Sequence, residues 1–102
     1  MSEKEREIII EEYQIARNLF GKKDKNLKVI ENELNVKMVA RGNTIKIIGE
    51  SQNVEDSSEV IEELLSITNK EKVLTEREVN YAVELLKKDS SINLGDIFNE
   101  VL

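Results

Sequence analysis

The chain has no cysteine, histidine, proline or tryptophan, and two tyrosines and two phenylalanines are its only aromatic residues among 102. Each absence removes a class of chemistry. Without Cys and His there are no disulfides, no thiol or imidazole nucleophile, no His-bearing triad and no structural zinc site. No apolar run approaches the roughly 18 to 20 residues of a membrane helix, and the acidic N-terminus lacks the basic-then-apolar order of a secretory signal. The expected setting is therefore cytoplasmic, with no membrane partner. So few aromatics weigh against a surface on which successive bases stack. With no proline and no Gly/Ser-rich linker, nothing marks a boundary before about residue 90. Residues 1–90 read as one domain, and 91–102 as a short helical tail or linker.

Charge is plentiful. Charged residues make up 35% and hydrophobic residues 39%, the balance of a globular chain with well-solvated faces. The net charge is −6, which taken whole counts against a polyanionic partner. Screening limits what a binding surface feels to about 8 to 10 Å, so position matters more than the sum. Between Arg17 and Lys46 stand eight basic residues (Arg17, Lys22, Lys23, Lys25, Lys28, Lys37, Arg41, Lys46) and three acidic ones (Asp24, Glu31, Glu33), a local +5 that leaves −11 elsewhere. The middle of the chain is basic and its flanks are acidic.

Hydrophobic periodicity supplies the elements. Arg6 to Glu11 reads as a short strand, with a helix start as the alternative, and Tyr13 to Phe20 as a helix closed by Gly21. Asp24 is placed to cap a second helix to about Leu34, on which Leu27, Ile30 and Leu34 share a face. Val36 to Ala40 and Thr44 to Ile48 form a hairpin around Arg41-Gly42-Asn43. A helix from Asn53 to about Ile67 and another to about Lys88 follow, the latter announced by the capping box Thr75-Glu76-Arg77-Glu78. Alternation puts Val36, Met38, Ala40, Ile45 and Ile47 on one face of the sheet and Lys37, Val39, Arg41, Lys46 and Ile48 on the other. The expected fold class is α+β, β-α-α-β-β-α, a three-stranded sheet covered by helices on one face, with one or two extra C-terminal helices. Leu94, Ile97, Phe98, Val101 and Leu102 form an apolar stripe. It either docks on its own domain, pairs with another copy or meets a further domain.

The segment richest in chemistry is Gly21-Lys22-Lys23-Asp24-Lys25-Asn26-Leu27-Lys28. A glycine loop between two helices presents backbone amides beside mobile cations, an assembly that attracts phosphate. Element order and loop resemble the KH module of RNA-binding proteins, whose GxxG loop clamps the backbone of about four nucleotides. Asp24 stands where the second glycine belongs. A closer and longer resemblance rests on Leu19-Phe20-Gly21-Lys22-Lys23-Asp24-Lys25-Asn26-Leu27-Lys28, Ala40-Arg41-Gly42-Asn43, Ile47-Ile48-Gly49 and Leu74-Thr75-Glu76-Arg77-Glu78-Val79. These are similar to the N-terminal KH-like domain of PhoH-family proteins, in which the loop aspartate is usual.

That resemblance implies a non-catalytic RNA-binding module of a longer P-loop ATPase, a family linked by name to phosphate starvation. Site residues implied by loop and resemblance are Gly21, Lys22, Lys23, Asp24, Lys25, Asn26, Lys28 and Arg41, with single-stranded RNA as partner. No GxxxxGK[ST] occurs, so no cofactor is expected in this chain, and ATP with magnesium is assigned to a C-terminal P-loop ATPase domain absent from it. Carboxylate pairs such as Glu11-Glu12 and Glu62-Glu63 are adjacent and point in different directions on a helix, which makes poor acid/base couples. No enzyme is expected in this chain. The alternative function is a protein-interaction or regulatory domain of the same ATPase without RNA contact, and homo-oligomerisation stays open.

Overall fold

A computed structural model describes residues 3–101, with side chains through Phe98. Strand β1 (Glu3–Ile9) leads into helix α1 (Tyr13–Phe20), and one 3₁₀ turn at Lys22–Asp24 joins it to α2 (Lys25–Leu34). The hairpin β2 (Lys37–Arg41) and β3 (Thr44–Glu50) follows, then α3 (Ser51–Ile67), α4 (Glu76–Lys88) and α5 (Leu94–Val101). The sheet is antiparallel with order β1-β3-β2. This is the α+β order expected of a KH-like unit, extended by two helices. No helix among the described residues is long and apolar enough to cross a membrane.

The core lies between the sheet and the helices. Ile45 and Ile47 of β3 are fully buried with Leu19, Ile30, Val54, Ile61, Leu64, Val79 and Val83, each contributing about 1.5–3 kcal/mol by leaving water. The capping box forms as the sequence predicts: Glu78 N–H donates to Thr75 Oγ1 at 3.1 Å, and Thr75 N–H to Glu78 Oε1 at 2.9 Å. The tail docks on its own domain, with Leu94 and Phe98 buried and Leu94 N–H donating to Glu63 Oε1 at 3.1 Å. The Phe98 ring lies 6.1 Å from that of Tyr81, tilted by 52°. The Val101 side chain and Leu102 lie outside the described residues.

Several boundaries differ from the sequence reading: β1 ends at Ile9 and not Glu11, β2 is shifted by one residue, and β3 runs on to Glu50. Helix α3 begins at Ser51, two residues early, and β1 begins at Glu3 rather than Arg6. The first half of β1 alternates Glu, Lys, Glu, Arg, Glu, so both its faces are charged and no apolar period reports it. Two interactions hold it in the sheet: its ladder to β3, and Lys4 and Arg6, which reach across to Glu55 on α3. Ile10 then leaves the strand. Its N–H donates to Asn43 O at 2.9 Å and its carbonyl accepts from Asn43 Nδ2 at 2.6 Å, tying the hairpin tip to the start of α1.

Candidate nucleic-acid interface

The loop between α1 and α2 is conformationally demanding. Gly21 N–H donates to Arg17 O at 3.0 Å, closing α1, and Gly21 then takes φ 79° and ψ 175°. That region is essentially reserved for glycine and differs from the left-handed helical cap that the sequence suggests. Lys23 (φ 55°) and Asp24 (φ 57°) are both left-handed before Lys25 returns to the right-handed helix. Asp24 occupies the N-cap position, yet its side chain makes no capping hydrogen bond. An N-cap carboxylate reaches the first-turn amides from an extended backbone, and Asp24 lacks one.

Asn26 departs from the surface role expected of it. Only 1% exposed, its Nδ2 donates to Leu19 O at 2.9 Å and to Leu74 O at 2.8 Å. It therefore stitches the end of α1 to the segment between α3 and α4 and offers nothing to a ligand. Gly21 packs directly on it, since a Cβ at position 21 would lie 2.8 Å from Asn26 Nδ2. Asn18, also buried, extends the same seam: its Nδ2 donates to Asn69 O at 2.7 Å, its Oδ1 accepts from Gln14 Nε2 at 3.0 Å, and its backbone carbonyl accepts from Leu74 N–H at 2.9 Å. Such fully satisfied buried amides rigidify a loop, because leaving any one unpaired is costly.

In front of this seam lies a groove of about 610 Å³. One wall is α1 and the loop, with Tyr13, Arg17, Lys22, Lys23 and Asp24. Ala40 and Gly42 of the hairpin, together with Val73, complete the lining. Gly42, at φ +58°, is the first residue of the two-residue turn, and a Cβ there would touch the Tyr13 ring at 3.6 Å. The groove brings together Gly21, Lys22, Lys23 and Asp24 of the expected set. Lys25 and Lys28 are exposed on α2, and Arg41 is exposed beside Gly42 on β2, all three outside the groove lining. Three cations against one carboxylate give the lining a local charge of +2.

Sequence reasoning did not place Tyr13 beside the loop lysines. It is 58% exposed and lies in the groove wall, so one aromatic face stands where the scarcity of aromatics suggested none. The signal was present in the spacing: Tyr13 and Arg17 are four residues apart, on the helix face that runs into the loop. Charge sharpens the picture. Among the described residues Arg17, Lys22, Lys23, Lys25, Lys28, Lys37 and Arg41 enter no ion pair, and Lys46 alone of the eight central cations does, with Glu5 at 3.5 Å.

No protein-family profile matches the chain. A PhoH-like protein of Bacillus subtilis is 34% identical over 85 residues, covering 83% of this chain. The chain belongs to the PhoH-like family. PhoH-like proteins of Mycobacterium tuberculosis and Mycobacterium bovis are 34% identical over 68 residues, or 67% of the chain. The chain spans 27% of the length of the Bacillus relative and 19% of that of the mycobacterial ones. A crystal structure of a protein of unknown function from Aeropyrum pernix superposes with a TM-score of 0.56 at 12% identity, over 86% of this chain and 50% of that one. It shares the fold alone. The Gly21 loop of this PhoH-like domain is not a P-loop: a P-loop joins a strand to a helix through GxxxxGK[ST], whereas Gly21 joins two helices. Nor do three acidic side chains gather into a cation site among the described residues.

Proposed function

We propose that the chain is a non-catalytic module that binds single-stranded RNA, the KH-like N-terminal domain of a PhoH-like P-loop ATPase. Lys22 and Lys23 take backbone phosphates at the mouth of the groove, Arg17 supports them from α1, and Tyr13 offers its exposed ring to an unpaired base. Stacking on an aromatic ring is worth about 1–3 kcal/mol per base and tolerates any sequence. Lys25, Lys28 and Arg41 flank the groove and add attraction along the strand. One observation carries this reading: among the described residues, the cations around the groove enter no ion pair in a chain that is acidic overall. An acidic protein that needed these lysines only for solubility has ample carboxylates with which to neutralise them. ATP and magnesium belong, on this reading, to a separate P-loop domain, and the setting is the cytoplasm.

The test is an anisotropy titration of labelled single-stranded RNA at two salt concentrations, for this chain and for Lys22→Glu/Lys23→Glu. A groove that neutralises three or four phosphates gives a log-log salt slope of about −2 to −3. The double charge reversal abolishes the salt-dependent part. Absence of salt-dependent binding at tens of micromolar, or binding unchanged by the double substitution, overturns the reading in favour of a protein-interaction or regulatory domain.

A further inference from the structure

The sheet face away from the helices is charged in a pattern of its own. Its three strands align in rows: Glu5 beside Ile48 beside Lys37, Glu7 beside Lys46 beside Val39, and Ile9 beside Thr44 beside Arg41. Register fixes the layout, since directly paired residues project to the same side. One outer strand, β1, therefore carries Glu3, Glu5 and Glu7, and the other, β2, carries Lys37 and Arg41. The central strand lies between acid and base, with Ile48 at mid-row, Lys46 drawn toward β1 by Glu5 at 3.5 Å, and Glu50 at its end beside Glu3. Apolar groups interrupt the charge: Ile9 is 68% exposed and Val39 is 39% exposed. The sequence reading placed the cations of this face but not the opposing carboxylates.

We propose that this face docks on the same face of a second copy of the chain, through a two-fold axis running along β3. That operation lays β1 of one copy over β2 of the other. Glu5 meets Lys37 of the second copy, Glu7 falls over Val39 between Lys37 and Arg41 of the second copy, and every contact occurs twice. On the axis each β3 residue meets its own counterpart, Ile48 on Ile48 but also Lys46 on Lys46 and Glu50 on Glu50, like-charge contacts that the Glu5–Lys37 pairs and the approach of Glu7 to Lys37 and Arg41 must outweigh. The other in-plane two-fold, across the strands, would set acid on acid and base on base, so the charge split selects one geometry. A surface that carries both halves of its own complement needs no foreign partner, which is the defining property of an isologous interface. The face is about 10 Å between its outer strands and about 23 Å long. That is small beside the roughly 800 Å² per partner of permanent complexes, so the association is reversible and emerges between about 10 μM and 1 mM. It is independent of nucleic-acid binding.

Sedimentation equilibrium of the chain, without nucleic acid, is the experiment. The weight-average mass of the parent rises from one chain toward two as concentration approaches 1 mM, and falls back in 0.5 M salt. Glu5→Lys/Glu7→Lys has a predominantly basic face, with Glu3 and Glu50 as its remaining carboxylates, and Lys37→Glu/Lys46→Glu a predominantly acidic one, with Arg41 as its remaining cation. Each alone stays monomeric, whereas their equimolar mixture associates at least tenfold more tightly than the parent. Should a variant fail to fold, concentration-dependent amide shifts in the parent decide the matter: they must cluster on Glu5, Ile9, Lys37, Val39 and Ile48. A parent that is monomeric at 1 mM, a mixture that does not associate, or shifts confined to α3, α4 and α5 overturns the proposal and leaves the face to a different partner.

Discussion

The two ends of this domain handle charge in opposite ways. Around β1, α3 and α4 most cations are matched: Lys4 and Arg6 share Glu55, Lys70 pairs with Glu12 at 2.6 Å, Lys72 with Glu78 at 3.4 Å and Lys87 with Glu33 at 3.2 Å, while Arg77 and Lys88 on α4 enter no ion pair among the described residues. Around the α1–α2 loop and on β2, cations enter no ion pair among the described residues, and what holds the backbone is a seam of neutral amides, Asn18, Asn26 and Asn43. The contrast teaches how an acidic protein keeps a basic site. Neutral hydrogen bonds fix the loop geometry without consuming the charge, whereas ion pairs would fix it by neutralising the groups that a phosphate needs.

The largest effect should come from cutting the neutral seam. Asn26→Ala leaves the carbonyls of Leu19 and Leu74 without their buried donor, which costs about 2–4 kcal/mol of unfolding free energy by urea titration. Gly21→Ala falls in the same range, because its φ of +79° is strained for any Cβ and that Cβ would strike Asn26. Lys87→Ala, which breaks an exposed ion pair at the other end, costs below about 1 kcal/mol. Equal losses at the two ends would erase the distinction between amide-held and charge-held regions.

A second comparison separates the ring from the charges within the groove. Tyr13→Ala weakens single-stranded RNA binding by roughly 5- to 100-fold, the loss of one stacked base, and leaves the salt slope unchanged. Removing groove lysines instead flattens that slope. Lys87→Glu/Lys88→Glu, far along the chain on α4, changes neither quantity in the same anisotropy titration. Binding that responds as strongly to Lys87 and Lys88 as to Lys22 and Lys23 would mean that overall charge, and not the groove, attracts the ligand.

Much of this was legible in the residues, and what escaped did so for identifiable reasons. The hairpin, the capping box and the apolar faces of α2 and α4 declare themselves by period and by turn chemistry, which are local properties. The positions of Lys22 and Lys23 also follow from the loop itself. Asn26 misled because its polarity reads as surface, and only the approach of Leu74, 48 residues away, gives its amide a buried partner. Tyr13 and Gly42 come together only when the hairpin folds over α1. The carboxylates of β1 were invisible as a patch because their neighbours on the open face belong to strands more than 30 residues later. Long-range pairing converts ordinary residues into a surface, and no local pattern records it.

The capping box tests whether the acidic end relies on local signals. Thr75→Ala removes the acceptor for Glu78 N–H and releases the reciprocal bond, at a cost of about 1 kcal/mol to folding. Because α4 packs on α2, this loss lowers the thermal midpoint by several degrees in a domain of this size. RNA affinity, referred to the folded fraction, stays constant. A fall in affinity per folded molecule would show that α4 communicates with the groove and that the two ends are not separable.

The smallest expected effect distinguishes the ends by pH. The Lys4 ammonium donating to Glu55 lowers its carboxyl below the ordinary value of about 4.5, against the upward pull of burial, and Arg6 at 2.8 Å adds to the lowering. A carboxyl whose pKa is depressed on folding contributes stability that is present above its unfolded value and lost as pH falls through the folded one. Stability should therefore decline on acidification below about pH 4.5, and Glu55→Gln should remove this contribution, slightly lowering stability at neutral pH and making the acid decline shallower. Glu78 and Asp89 are lowered as well, Glu78 because bonds from Thr75 and Lys72 outweigh its burial and Asp89 because Ser91 donates to it, so the acid limb is reduced and not abolished. Lys22→Gln/Lys23→Gln touches no ion pair and should leave the limb where it was. A limb that moves with the loop lysines as much as with Glu55 would place carboxylate partners at the groove in solution, and the free cations on which the RNA reading rests would not exist.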